Sequence, residues 1–169
     1  TETDSEYLVE YRSTDNAGNV EEIKSYSVII DNASPASSIT IGNPKYDYQN
    51  GTFILVSSIT PFTVTSAETG ASSSGVKYSE FNVDGADWIR YSQPLNLPVS
   101  LNDGTHMVNY RSIDNVDNIE IAKSIQVTLD SSNPQALILS PAGATQNING
   151  IISVIGTAED LHFDYYKLE

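Results

Sequence analysis

The sequence predicts an all-β protein built from β-sandwich units, and three observations carry that prediction. Val, Ile, Thr and the 10 Tyr residues are residue types that suit a pleated, half-buried surface. Apolar and polar residues alternate along short segments, and few segments show a helical period. Turn residues recur at intervals of roughly 8–12 residues, which is the spacing that the short strands of a sandwich require.

Two segments of the chain repeat each other, since residues 7–35 align without a gap to residues 106–134 at an offset of 99 residues. A period of about 100 residues is the size of one immunoglobulin-type sandwich. We therefore expect tandem immunoglobulin-like domains: residues 1–35 as the C-terminal strands of a preceding unit, 36–134 as a complete unit, and 135–169 as the N-terminal part of a third. The matched pairs are Tyr11/Tyr110, Arg12/Arg111, Ser13/Ser112, Asp15/Asp114, Asn19/Asn118, Glu21/Glu120, Lys24/Lys123, Asp31/Asp130 and Pro35/Pro134.

Alternation and turn residues predict the elements of these units in order. The pairs Asn50-Gly51, Asp84-Gly85 and Asp103-Gly104 are turn signals, because Gly, Asn and Asp tolerate a left-handed backbone. Pro94 and Pro98 place the segment around them at an edge or in a loop. The predicted strands are 38–41, 53–56, 62–67, 76–83, 88–91, 95–99, 106–113 and 119–129, followed by 136–139, 151–156 and 163–168 in the third unit.

Three motifs of the middle unit occur in a specific combination: SGVKYSEFNVDGADWIRY (74–91), DGTHMVNYRSIDNVDNIE (103–120) and DSSNP (130–134). Together they resemble the Ig-like surface-protein repeat named after a leptospiral outer-membrane protein, and residues 7–35 resemble half of such a unit. Asp117 departs from the Gly of that family, and Glu68 stands where Asp is common. The resemblance implies a large secreted or surface-anchored protein of bacteria or archaea that serves adhesion, scaffolding or the spacing of other modules.

Charge and cysteine content exclude several classes of function. With 8 Lys and Arg against 22 Asp and Glu, the net charge is -14, which argues against nucleic acid and against anionic membrane surfaces as partners. An acidic surface suits solubility or multivalent cations. The chain has no Cys, so disulfides, thiolate metal sites and cysteine nucleophiles are excluded. No apolar run approaches the roughly 20 residues of a membrane span.

The residues also predict that the chain is not an enzyme. An acid and a base, or a nucleophile and a base, must meet in one cleft. The chain has 2 His, and His106 occupies the position that Tyr7 holds in the other copy, so the fold does not need an imidazole there. No nucleophile elbow, zinc-protease motif or phosphate-binding loop is present.

Acidic and amide residues gather where calcium could bind. Carboxylate and carbonyl oxygens are the ligands of calcium, and these residues cluster in two equivalent turns and at the two predicted junctions between units. The alternative is ordinary turn chemistry, because Asp and Asn side chains bond the local backbone. Both interpretations stay open. The candidate calcium ligands are Asp15, Asn19, Asp31, Asp114, Asp117, Asn118 and Asp130.

Two surface features complete the expectations. Tyr46, Tyr48, Trp88 and Tyr91 form a candidate row for stacking on sugar rings, although Trp88 could instead cover an edge of the sandwich. The arginines of the repeat point outward in the predicted strands, and we expect cross-strand ion pairs of Arg12 with Glu21 and of Arg111 with Glu120.

The sequence therefore predicts a non-catalytic structural or adhesive module of a large extracellular or cell-surface repeat protein, such as a stalk, spacer or fibre component. Its expected partners are neighbouring Ig-like domains of the same chain or of identical chains, and host or cell-surface glycans. The half units at the ends are either cut from a longer chain or complemented between molecules. The alternative function is a carbohydrate-binding or accessory module of a secreted multi-domain enzyme.

Overall fold

The computed structural model describes residues 4–48, 53–70, 72–143, 147 and 149–168, and within them it contains strands and no helix. The all-β prediction is confirmed. Among these residues no helix is long and apolar enough to cross a membrane. The predicted Asn50-Gly51 turn lies outside the described residues. The strands are β1 (Ser5–Tyr11), β2 (Lys24–Ile30), β3 (Ala36–Ile41), β4 (Lys45–Tyr48), β5 (Phe53–Val56), β6 (Phe62–Ala67), β7 (Val76–Val83), β8 (Ile89–Arg90), β9 (Gly104–Asp114), β10 (Lys123–Leu129), β11 (Gln135–Ser140) and β12 (Ile155–Glu159).

These strands form one large sheet and three small ones. The large sheet has the order β4-β5-β10-β9-β7-β8, and its strands are antiparallel except for β5 and β10, which run parallel. The pairs β1–β2, β3–β6 and β11–β12 are two-stranded antiparallel sheets. The turn predicted between β7 and β8 is present, with positive φ at Asp84 (54°) and Gly85 (76°).

The hydrophobic core lies between the β3–β6 pair and the six-stranded sheet, an arrangement compatible with a β-sandwich. Ile41 and Phe62 of the small sheet share this core with Val108 and Val127 of the large one, and Phe62 and Val108 are 0% exposed. The predicted strand 95–99 forms no strand in the structure. Instead Leu95 and Leu97 close the core between the two sheets, with Leu97 only 1% exposed, whereas Val99 points away from it.

The buried carboxylate of Glu120 joins the β3–β6 pair to the six-stranded sheet, at the end of the sandwich where polar side chains are buried. Glu120, which is 7% exposed, accepts hydrogen bonds from the Ser37 N–H (2.9 Å), the Ser37 hydroxyl (2.5 Å) and the Ser112 N–H (3.0 Å). Lys123 Nζ lies 2.7 Å from Glu120 Oε1 and donates to the Ser37 carbonyl at 2.6 Å. Burial opposes ionisation of Glu120, but the bonds from Lys123 and Ser37 keep the pKa of its carboxyl below the usual value.

The predicted ion pair between Arg111 and Glu120 is therefore wrong. Arg111 and Glu80 are directly opposite in the register of β9 and β7, so Arg111 Nη2 reaches Glu80 Oε1 at 2.6 Å. The guanidinium also lies over the Trp88 ring, 4.3 Å from its centroid. In the first copy, Glu21 likewise bonds to Ser13 and Lys24 rather than to Arg12.

Element boundaries differ from the prediction where the alternation is weak. β4 was not predicted, because it is a short edge strand with all four positions exposed and hence no buried face. The predicted strand 119–129 begins at Lys123, since Ile119 closes the preceding turn by bridging to Ile113. After β11, the predicted strand 151–156 is found at Ile155–Glu159, and the predicted strand 163–168 is not formed.

The core predicts a clear contrast between two neighbouring apolar positions. Leu97→Ala should lower the free energy of unfolding by about 2–5 kcal/mol, because it leaves a cavity in the core. Val99→Ala, two residues along and 90% exposed, should change it by less than about 0.5 kcal/mol. Urea unfolding of both variants checks this, and equal effects would contradict the assigned core.

Candidate functional site

The repeated turn is built around one aspartate whose carboxylate accepts three hydrogen bonds. Asp114 Oδ1 accepts from the N–H groups of Val116 (3.0 Å) and Asn118 (2.8 Å), and Oδ2 accepts from Asn118 Nδ2 at 2.7 Å. Asp114 is 0% exposed. A carboxylate is buried at a tolerable cost only when such donors replace its water shell.

The first copy of the turn has the same local structure in an exposed setting. Asp15 accepts from the N–H groups of Ala17 and Asn19, each at 2.9 Å, and from Asn19 Nδ2 at 2.7 Å. The backbone is left-handed at the equivalent positions Gly18 (φ 87°) and Asp117 (φ 68°). Since Asp tolerates that conformation better than most side chains, the replacement of Gly by Asp117 preserves the turn.

The segment that leads into the middle unit is fixed by hydrogen bonds from that unit. Asn118 Nδ2 donates to the Asp31 carbonyl (3.0 Å), and the Ser74 N–H donates to Asp31 Oδ2 (2.6 Å). Three residues further on, the Thr69 hydroxyl donates to the Ser34 carbonyl at 2.9 Å. Asp31 and Pro35, at the two ends of this segment, are both buried. Asp31–Pro35 is therefore an ordered connection.

Three carboxylates converge on this connection. One oxygen each of Asp31, Glu68 and Asp114 lies within 4.8 Å of the others. Asp31 is 9% exposed, and Ser74 holds the pKa of its carboxyl below the usual value through its side chain and its backbone N–H. Burial, together with the charges of Asp31 and Asp114, raises the pKa of Glu68. We call these three residues the first junction cluster.

A second cluster occupies the equivalent place at the end of the middle unit. Asp130 repeats Asp31 at the offset of 99 residues, and it meets Asp160 and His162. Asp160 corresponds to Glu68 by strand register. Ala36 pairs with Ala67, which Glu68 follows. Gln135, which repeats Ala36, pairs with Glu159, which Asp160 follows. In this second junction cluster, His162 Nδ1 lies 2.6 Å from Asp130 Oδ2 and the His162 N–H donates to Asp160 Oδ1 at 2.9 Å.

The structure brings together only part of the predicted calcium ligands. Asp31 and Asp114 meet in the first junction cluster, and Asp130 belongs to the second. Asp15 and Asn19 bind each other, Asn118 acts as a hydrogen-bond donor, and Asp117 pairs with Lys77 at 2.6 Å.

Glu68 and Asp160 were missed as cluster members because they are distant in sequence from the aspartates that they approach. The signal that would have found them is the strand register. Glu68 follows β6, which pairs with β3 just after Pro35, and Asp160 follows β12, which pairs with β11 just after Pro134. The register therefore places each of them beside the aspartate of its junction.

The predicted aromatic row is divided between two regions. Tyr46 and Tyr48 lie on β4, at one edge of the large sheet, with ring centroids 6.4 Å apart. Trp88 precedes β8 at the opposite edge, under Arg111. The β4 tyrosines line a cleft of about 840 Å³ whose other walls come from the second junction cluster and from the segment after it. Its lining includes Asp130, Asp160, His162, Phe163 and Tyr165.

His106 is held between two acceptors. Its Nδ1 lies 2.6 Å from Asp84 Oδ2 and its Nε2 lies 2.9 Å from the Asn102 carbonyl. Both nitrogens donate only when the ring is protonated, and these bonds, first that of Asp84, raise the pKa of His106. Burial opposes ionisation of Asp84, but His106 and the Met107 N–H keep the pKa of that carboxyl below its usual value. A histidine whose two ring nitrogens both face protein acceptors is poorly placed to act as a general base.

The arrangement offers two chemistries: cation binding at the junction clusters, and ring stacking with hydrogen bonding in the β4 cleft. Comparison of the chain with models of known protein families and with curated proteins finds no match. The choice between these chemistries therefore depends on the geometry of the chain's own residues.

His106 predicts a pH dependence of stability. Because its pKa is raised on folding, its contribution to the free energy of unfolding is complete below about pH 6.5 and is lost as the pH rises through the folded-state pKa. His106→Gln should remove this dependence, so the stability difference between the parent and the variant should shrink from pH 6 towards pH 9, measured by urea unfolding. Asp84→Asn should also reduce the dependence. An unchanged profile in His106→Gln would contradict the assignment.

Proposed function

We propose that this chain is a non-catalytic structural module of a large secreted or cell-surface repeat protein, in which Ig-like units follow one another as a stalk or spacer. The observation that carries the proposal is the ordered connection Asp31–Pro35, which the middle unit holds by three hydrogen bonds, two from side chains and one from a backbone N–H. A spacer transmits position only if its connections resist bending. A flexible polar linker would behave as a random coil.

The sequence supports the same proposal in two further ways. The motifs in 74–91, 103–120 and 130–134 resemble a family of extracellular bacterial and archaeal repeats. The net charge of -14 favours solubility and disfavours nucleic acid as a partner. We infer an extracellular or cell-surface location and adhesion or scaffolding as the wider role.

The positions of the histidines support a non-catalytic role. His106 is paired with Asp84, and His162 with Asp130. Within the described parts of the chain, no serine or threonine hydroxyl is hydrogen-bonded to either imidazole. The nucleophile-and-base pair that hydrolases use is therefore not assembled among those residues.

The stiffness of the connection can be measured with a matched pair of variants. The chain has no Cys, so spin labels on Ser27→Cys in β2 and Ser100→Cys, both exposed positions, report the distance between the two units. Asn118→Ala should broaden the distance distribution, because it removes the bond to the Asp31 carbonyl. Asn19→Ala removes the same bond within the turn, to Asp15, and should leave the distribution narrow.

Pulsed electron–electron double resonance on the labelled parent and variants gives the distributions of the distance between the two spin labels. A broad distribution in the parent, or no change in Asn118→Ala, would remove the support for a stiff spacer.

A second candidate function, carbohydrate binding, is favoured by the β4 cleft. Its lining combines the rings of Tyr46, Tyr48 and Tyr165 with the carboxylates of Asp130 and Asp160. Aromatic faces stack on the apolar face of a sugar ring, while carboxylates accept hydrogen bonds from its hydroxyls. A cleft with an apolar lining and a few convergent polar groups is the general form of a small-molecule site.

A glycan array probed with the full chain tests this candidate. If a glycan binds, Tyr46→Ala should weaken binding at least about tenfold, equivalent to 1.4 kcal/mol. Tyr26→Ala, an exposed tyrosine of β2 that does not line the cleft, should bind as the parent does. Silence across the array, or an equal loss in Tyr26→Ala, would eliminate the cleft as a glycan site.

A further inference from the structure

Glu68 carries a buried carboxylate that no group of the described residues satisfies. Both of its carboxylate oxygens expose less than 1 Å² and have no hydrogen-bond partner, although part of the residue reaches the surface. Buried polar groups are hydrogen-bonded in the great majority of cases, and an unpaired buried carboxylate is among the most costly exceptions. The Glu68 carboxylate therefore needs a ligand that the described part of the chain does not supply.

The negative charges around Glu68 increase its need for a positively charged ligand. The groups that its carboxylate meets in the first junction cluster are two more carboxylates, Asp31 and Asp114. Among the described residues, no Lys, Arg or His forms an ion pair with any of the three. Three carboxylates that share one buried place without a cation repel one another.

We infer that Asp31, Glu68 and Asp114 bind a divalent cation, with calcium as the preferred ion. Calcium takes oxygen ligands at roughly 2.3–2.6 Å, so two oxygens on one calcium ion can be up to about 5 Å apart. The three carboxylate oxygens lie within 4.8 Å of one another and satisfy this limit. Magnesium demands shorter bonds and near-ideal octahedral geometry, and it keeps several waters, which fits a partly buried three-carboxylate site less well.

A further oxygen is available beside the cluster. The Ser74 N–H donates to Asp31 Oδ2 at 2.6 Å, which places Ser74 next to the three carboxylates. The Ser74 Oγ is itself buried, and its hydroxyl lies against the Asp31 carboxyl. Calcium takes 6–8 oxygens and accepts neutral ones along with carboxylates, so this hydroxyl suits a calcium ligand set.

The second junction cluster shows the alternative solution at the equivalent place. There His162 provides both an imidazole nitrogen to Asp130 and a backbone N–H to Asp160. The protein thus supplies donors to both carboxylates at the second junction. At the first junction the position equivalent to Asp160 is Glu68, to which no described residue donates a hydrogen bond. This difference assigns the cation to the first junction.

Cation binding would add to the proposed function and does not depend on it. An ion held by Asp31, on the connection, and by Glu68 and Asp114, on the middle unit, would bind the two parts together. The site would exist equally in a glycan-binding module. Failure of the calcium experiment would therefore leave the spin-label result standing, and the reverse also holds.

Thermal unfolding of the full chain, in chelator and in about 10 mM calcium, tests the inference. That concentration is roughly tenfold above the weakest Kd values of extracellular calcium modules. The parent should unfold several degrees higher in calcium, because a ligand that binds only the folded state stabilises it. Glu68→Gln should lose this rise. In chelator the same variant should unfold at or above the temperature of the parent, since the neutral amide relieves the repulsion among the carboxylates.

Two control variants locate the site. Glu22→Gln removes an exposed carboxylate outside both clusters and should keep the full rise, as should Asp160→Asn in the second junction cluster. Asp31→Asn is the second test variant, in case Glu68→Gln does not fold. Calorimetric titration of the parent with calcium should give a binding isotherm that Glu68→Gln weakens at least about tenfold.

Three results would overturn the inference. The first is a parent that neither binds calcium nor gains stability from it, which would mean that Glu68 is buried as the neutral acid. The second is a full calcium response in Glu68→Gln. The third is a response that Asp160→Asn abolishes and Glu68→Gln leaves intact, because the ion would then belong to the second junction.

Discussion

The buried carboxylate of Asp114 is the interaction on which the junction depends. Its bonds to the Val116 N–H and to the backbone and side chain of Asn118 close the turn. The same bonds fix the Asn118 amide, which then reaches the Asp31 carbonyl. The turn forms identically around the exposed Asp15, so its geometry is local in origin. The turn around Asp114 is buried because the connection Asp31–Pro35 packs against it.

The interior of the middle unit changes from apolar to polar side chains towards one end. An apolar core around Phe62 and Val108 fills the sandwich, whereas its polar end holds Glu120 and a chain of serine hydroxyls. That chain runs from Ser66 through Ser79 to Ser112, at 2.9 and 2.8 Å. Directed hydrogen bonds at this end fix how the two sheets meet, because each buried group must find its partner. The first junction cluster is the exception, because the Glu68 carboxylate has no hydrogen-bond partner among the residues that the structure describes.

Electrostatics connects the cluster to the proposed role of the chain. A surface with a net charge of -14 repels itself, and the carboxylates of Asp31, Glu68 and Asp114 concentrate that repulsion at a buried junction. A cation there would turn the least favourable contact of the connection into a favourable one. The β4 cleft places carboxylates beside aromatic rings at the other junction, so the same acidic positions face different chemistry at the two ends of the middle unit.

The sequence by itself determined the all-β class, the repeat, most strands of the middle unit and the Asp–Asn turns, since alternation and turn chemistry are local properties of the chain. It named Asp31 and Asp114 as candidate ligands but placed them in separate groups. The tertiary structure decided that they meet, that Glu68 joins them, and that Arg111 pairs with Glu80 rather than Glu120. These outcomes depend on which strands become neighbours and in what register, and a pattern within one segment carries no information about the residue opposite it.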